Sequence, residues 1–131
     1  MSKYLTFPDV TFKDRRLLLA ALTDIGFAIV EEGKALPLYG YQGDRRPETA
    51  EIVLRRQHVG RASNDVGFAR TPDGYVPIVS EFDRRTLLNG AFLTRLRTAY
   101  SEQVVQEVRR RVHGTAIRRV EGQTIQITVR Y

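Results

Sequence analysis

Apolar residues recur at every fourth position from Phe92 through Leu96, Tyr100, Val104 and Val108 to Val112, with Leu93, Ala99 and Val105 beside them. This spacing predicts one amphipathic helix from about Asn89 to Gly114, packed on one side and polar on the other. Steps of four residues drift by about 40° per step against a repeat of 3.6 residues per turn. The buried face therefore rotates along the helix, as it does when a helix lies obliquely across a twisted sheet. Asn89 fits as its N-cap and Gly114 as its left-handed stop. A shorter helix is expected before Gly26, with Leu18, Ala21, Leu22 and Ile25 inward and Leu17 and Leu19 widening the stripe. Thr11 and Asp14 form the capping pattern ahead of it.

The remaining apolar positions read as strands. Residues 3–12 alternate loosely, with Pro8 marking an edge or a bulge. Phe27 to Glu32 is β-like, Glu32-Gly33-Lys34 is a turn, and Leu36 to Tyr41 holds Pro37, which argues against a central strand. Ala50 to Arg56 alternates as a half-buried strand, with Gln57 to Asn64 a loop. Asp65 to Arg70 and Tyr75 to Glu81 flank Thr71-Pro72-Asp73-Gly74, a hairpin signal through its Asp-Gly. Phe82 to Leu88 is a connection with room for one helical turn, and Thr115–Val120 with Gln123–Arg130 is a closing hairpin about Glu121-Gly122. The order predicts a single α+β domain over residues 1–131, an antiparallel sheet with two helices on one face.

Composition narrows the chemistry. The 131 residues contain no cysteine and only His58 and His113 as histidines, so disulfides, thiolate metal sites and cysteine nucleophiles are excluded. No carboxylates stand at metal-ligand spacing, and neither a metal nor a cofactor is expected. The N-terminal MSKYLTFPDV is not a basic region followed by an apolar run, and no apolar stretch approaches the roughly 20 residues of a membrane span. A cytoplasmic protein without a membrane partner is therefore expected.

Charge is uneven. The net charge is +6, and the stretch from Arg84 to Arg119 holds nine arginines against Glu102 and Glu107. Arginine outnumbers lysine 18 to 3, and its planar fork suits carboxylates and phosphates. Arg109, Arg110 and Arg111 are read as cations offsetting the C-terminal end of the helix dipole, with Glu107 in reach of Arg110 and Arg111. Arg15 and Arg16 stand in a first helical turn, where the dipole disfavours cations, so they are either solvated or held by a partner. Gly40 to Gly43, between Tyr39 and Asp44, lacks the Lys-Ser/Thr of a phosphate-binding loop.

The ordered motifs GYQG at 40–43, DVGF at 65–68, DGY at 73–75, FLTRLRTAY at 92–100 and a closing segment ending in VRY resemble one family. It comprises small conserved hypothetical proteins of cyanobacterial and red-algal plastid genomes, a domain of unknown function also found in other bacteria. The resemblance covers nearly the whole chain. The family pattern has an aspartate and paired tryptophans after the hairpin, where this chain has Ser80-Glu81-Phe82-Asp83 and no tryptophan, which marks a distant member. The resemblance implies a small soluble partner protein, in bacteria sometimes encoded near an AAA+ ATPase, and carries over no catalytic residue.

Three functions follow as expectations. The first is a non-catalytic accessory subunit docking onto a protein partner, an AAA+ ATPase system being the one implied, through Tyr39, Tyr41, Arg45, Arg46 and Tyr75, since interface hot spots favour tyrosine and arginine. The second is nucleic-acid binding by Arg95, Arg97, Arg109, Arg118 and Arg119 in the basic C-terminal third, with Glu102 interrupting the track. The third, an enzyme built on Asp65, Asp73, Glu81 and Asp83, lacks a nucleophile and base pattern. His58 has no orienting acid nearby in the sequence.

Overall fold

The computed structural model describes residues 2–118, with side chains through Gly114. Its strands are β1 (Tyr4–Thr6), β2 (Glu31–Tyr39), β3 (Arg45–Leu54), β4 (Val66–Thr71) and β5 (Gly74–Ser80). Its helices are α1 (Arg15–Asp24), α2 (Glu81–Thr86) and α3 (Phe92–Arg118). The strands form one antiparallel sheet in the order β1-β5-β4-β3-β2. The expected α+β class with one antiparallel sheet is present, and α2 is a third helix where a connection with room for one turn was expected.

Helices α1 and α3 cover one face of the sheet. Leu17, Leu18, Ala21 and Leu22 of α1 and Phe92, Leu96, Ala99, Tyr100 and Val104 of α3 share a core with Ile52, Leu54, Val66, Phe68 and Val79. Each buried Val, Leu, Ile or Phe among them contributes about 1.5–3 kcal/mol through the apolar surface it removes from water. Phe12 sets its ring edge-on to both Phe68 and Tyr100, with centroids 6.1 and 5.1 Å apart. The Tyr100 hydroxyl accepts the Asp14 amide at 3.0 Å, which ties the start of α1 to the middle of α3.

Several local features differ from the sequence reading, each for an identifiable reason. The first strand stops at Thr6 because the chain turns at Pro8, where the Val10 amide returns to the Phe7 carbonyl at 3.0 Å. Asp14 itself caps α1, its carboxylate accepting the Leu17 amide at 3.1 Å, whereas Thr11 bonds the Pro8 carbonyl. Glu32-Gly33-Lys34 is no turn: β2 runs on through a register shift, with Ala35 at a φ of 47°. Phe27 to Val30 precede β2 rather than forming a strand, and Arg45, Arg46 and Pro47 open β3. Pro37 is tolerated because β2 is an edge strand. Asn89 is no N-cap. With Leu88 it adopts a positive φ in a 3-10 turn over Leu87–Gly90 that swings the chain from α2 into α3. Gly114 is no stop either: α3 continues to Arg118, so Thr115 to Arg118 are helical rather than strand. A mid-helix glycine costs about 1 kcal/mol against alanine, too little to end a helix anchored by its buried first half. The rest of the expected closing hairpin lies outside the described residues.

The sheet forks at Glu51. Strand β3 pairs with β4 only over Ile52, Val53 and Leu54. Beyond that β4 follows β5 to Thr71, while β3 stays with β2 as far as Tyr39 and Arg45. The Glu51 carboxylate bridges the fork, accepting the Arg70 amide at 2.6 Å and the Ala35 amide at 3.1 Å. The β2–β3 arm then curls over the rear face, where Leu38 and Ala50 join Tyr4, Val53 and Ile78 in a second core. Gly67 makes that approach possible, since a Cβ there would lie 2.7 Å from the Ala50 Cβ and 3.1 Å from Leu38. Arg46 closes the arm onto the opposite edge, donating to the Ser2 carbonyl at 2.7 Å and stacking 5.1 Å over the Tyr4 ring.

Two glycines test this description in opposite directions. Gly67→Ala overpacks the rear core and is expected to destabilise by about 1–3 kcal/mol. Gly114→Ala, with nothing within 4 Å of the added Cβ, is expected to stabilise by about 0.5–1 kcal/mol. Urea unfolding measures both, and a loss of stability in Gly114→Ala would mean that the helix stops there.

A candidate interaction site at the hairpin corner

The β2–β3 turn is built so that its tip is held rigidly. The Gly40 amide donates to the Asp44 carbonyl at 2.8 Å, the Gly43 amide to the Gly40 carbonyl at 2.9 Å, and Gly43 takes a φ of 80°. A Cβ on Gly40 would lie 2.5 Å from the Asp44 carboxylate, so the Asp44 side chain would have to shift to admit one. Behind the turn sits a polar cluster almost wholly out of water, with Asn64 and Asp65 each 1% exposed and Ser80 and Asp83 0%.

Asp65 organises one half of the cluster. One carboxylate oxygen accepts the Arg56 amide at 2.7 Å, and the other accepts the Tyr39 amide and the Arg55 guanidinium, both at 2.8 Å. Its own amide donates to the Tyr39 carbonyl at 2.9 Å, and its carbonyl accepts the Tyr4 hydroxyl at 2.7 Å. Arg55 also donates to the Pro37 carbonyl at 2.8 Å and to Glu31, and lies 5.6 Å over the Tyr39 ring. Burial opposes the charge on Arg55, but its hydrogen bonds to Glu31 and Asp65 outweigh that, and its pKa is raised. Burial, followed by the nearby Asp65 charge, pushes the Tyr4 hydroxyl well above its ordinary range.

Asn64 organises the other half. Its amide and side-chain nitrogen donate to Asp83 at 2.9 and 3.2 Å, and the same nitrogen donates to Ser80 at 2.9 Å. Its side-chain oxygen accepts the Tyr41 amide at 3.0 Å. Ser80 caps α2, accepting the Asp83 amide at 3.0 Å while its hydroxyl donates to the Asp83 carboxylate at 2.7 Å. The second oxygen of Asp83 is buried and has no hydrogen-bond partner.

Of the tyrosines and arginines expected to meet a partner, four gather at this corner. Tyr39 is half-buried beneath Arg55, and Arg46 is committed to Ser2 and Tyr4. Tyr41, 42% exposed, and Arg45, also exposed, face outward at the tip. Tyr75 lies elsewhere and is buried, its backbone bridged to Phe12. On α3, Arg95, Arg97 and Arg109 are exposed, as is Glu102. Arg118 lies in α3 with its side chain outside the description, and Arg119 is outside the described residues. Arg15 and Arg16 both have intramolecular carboxylates: Arg15 pairs with Glu32, and Arg16 with Glu107 at 3.0 Å. Glu107 also takes Arg110 and Arg111, and the Arg16 hydrogen bond leads in lowering its pKa. Because α3 continues to Arg118, Arg109 to Arg111 stand within the helix and not in its last turn.

The four carboxylates weighed for catalysis divide. Asp65 and Asp83 are linked through Asn64, Asp73 is exposed in the β4–β5 turn, and Glu81 is exposed at the start of α2. Among the described residues no set of three or more His, Cys, Asp or Glu side chains is placed to hold a metal ion, and no helix is long and apolar enough to cross a membrane. The roles of Arg55, Asn64 and Ser80 were not read from the sequence. Its one local signal was the Ser80-x-x-Asp83 spacing of a helix cap.

Because the native state holds Tyr4 neutral, its contribution is complete below the ordinary tyrosine pKa of about 10 and is lost as pH rises beyond it. Stability measured by urea unfolding is expected to fall above about pH 10. Tyr4→Phe is expected to flatten part of that decline, the remainder arising from Tyr100, whose pKa burial also raises. An unchanged slope in Tyr4→Phe would contradict the assignment.

A family model described as a protein of unknown function, DUF1257, matches residues 21–128. No curated protein and no solved structure matches the chain.

Proposed function

The chain belongs to the DUF1257 family of proteins of unknown function, and on that premise we propose that it is a non-catalytic accessory subunit docking onto a protein partner through Tyr41 and Arg45. The observation that carries this reading is an exposed aromatic beside an exposed arginine on a turn whose backbone is locked from behind. Asn64 holds the Tyr41 amide and Asp65 holds the Tyr39 amide. A contact residue fixed before binding has less freedom to lose on association, and tyrosine with arginine is the pairing that hot spots favour.

A non-catalytic role is favoured by how the buried carboxylates are used. Both oxygens of Asp65 are engaged by the protein's own amides and by Arg55, and Asp83 is sealed beneath Ser80 and Asn64. Such groups are shielded from any substrate. The proposed setting is the cytoplasm, within a larger assembly for which an AAA+ ATPase system is the implied partner. That implication, like the proposed kinship with cyanobacterial and red-algal plastid proteins, rests on the sequence resemblance.

The test is affinity purification of the tagged protein from its native host at moderate salt, with and without nuclease. A stoichiometric protein partner is expected to persist after nuclease. Tyr41→Ala with Arg45→Ala is expected to weaken it by about 2 kcal/mol, roughly thirtyfold. Loss of the partner on nuclease treatment, or on Arg95→Glu with Arg97→Glu while the Tyr41 and Arg45 variant keeps it, would overturn the proposal in favour of nucleic-acid binding through α3.

A further inference from the structure

The fork in the sheet opens a cleft of about 860 Å³ between the β2 bulge, the β4–β5 turn and the start of α1. Four cations line it from three directions: Lys34 on the bulge, Arg70 at the end of β4, and Lys13 and Arg15 at the start of α1. Three carboxylates share the same walls, Glu32, Glu51 and Asp73, so the cations are in excess by one. Glu32 is paired with Arg15, and Glu51 has one oxygen on the Ala35 amide and the other on the Arg70 amide. Asp73 is the remaining acid, exposed at the tip of the turn. Among the described residues no ion pair engages Lys13, Lys34 or Arg70. Two of the three lysines in a chain with 18 arginines thus converge on one cleft.

We propose that this cleft receives an acidic, extended segment of a partner protein. The inference rests on the reading of the chain as an interaction subunit, and adds to it a second surface and the chemistry of what that surface takes. The cations are spread along the cleft on separate elements, which matches a succession of carboxylates along a peptide. A nucleotide would also want a ring to stack on. Among the described residues the one aromatic in the walls is Tyr75, only 8% exposed, its backbone bridged to Phe12. Lys13, Lys34 and Arg70 have, among the described residues, no carboxylate partner to give up.

Fluorescence anisotropy of the full chain with a fluorescein-labelled peptide rich in Asp and Glu tests this. Saturable binding is expected at low salt, weakening as salt rises. Lys13→Glu with Lys34→Glu and Arg70→Glu is expected to reduce affinity by at least about tenfold, whereas Arg95→Glu with Arg97→Glu leaves it within about twofold. If the triple variant does not fold, Lys34→Glu alone, on the exposed bulge, supplies the reading. Three results would overturn the proposal: no saturable binding by the unaltered chain, equal losses in the two variants, or a single-stranded oligonucleotide that binds more tightly than the peptide and is lost in the cleft variant. The Tyr41→Ala and Arg45→Ala protein is expected to retain the peptide. Failure of the cleft therefore leaves the Tyr41 corner standing, and the reverse.

Discussion

The carboxylate of Asp65, immediately before β4, gathers the end of β2 and the segment just after β3. It takes the Tyr39 amide from the end of β2, the Arg56 amide from the turn after β3, and the guanidinium of Arg55, itself bonded to the Pro37 carbonyl. A carboxylate with 1% exposure is costly unless its oxygens are satisfied, and here both are. Removing one partner from such a pair costs about 3–5 kcal/mol, because the other charge stays behind without compensation. The fork of the sheet, the rear core and the β2–β3 turn all depend on where this corner sits. Arg46 reaches Ser2 and Tyr4 only because the arm that carries it curls back from Asp65.

The same arrangement explains why parts of the molecule were legible in the sequence. The β4–β5 hairpin announced itself through Asp73-Gly74, and the α3 stripe from Phe92 to Val104 through its four-residue spacing, because each signal is local and each element buries one face. The β2–β3 arm was legible only in part: Ala50 to Arg56 reads as a half-buried strand, but Leu38, Ala50 and Val53 pack on the rear of the sheet while Ile52 and Leu54 pack on the front. Burial on both sides erases the alternation that marks a half-buried strand. The end of α3 was misjudged for a different reason: Gly114 looks like a cap, but a glycine adopts helical angles as readily as left-handed ones.

The candidate site was partly readable. Tyr39, Tyr41, Arg45 and Arg46 are adjacent in sequence, so their gathering at one corner needed no long-range information. What was hidden is that Tyr39 and Arg46 face inward, which is decided by Arg55 and by Tyr4, both distant in the chain. Asp65 and Asp83 stood out as carboxylates beside a hairpin. The structural use of Asp83 depends on Asn64 and Ser80, residues common enough in loops to carry no signal of their own, and that of Asp65 on Arg55 and two backbone amides.

Hydrogen exchange in Asp65→Asn tests most directly the claim that this one carboxylate fixes the corner. The account predicts that the amides of Tyr39, Tyr41 and Arg56 lose protection selectively, while those of Leu22 in α1 and Leu96 in α3 keep the protection set by global unfolding. Unchanged protection at Tyr39, Tyr41 and Arg56 would contradict it, as would a loss spread evenly over the whole sheet and both helices.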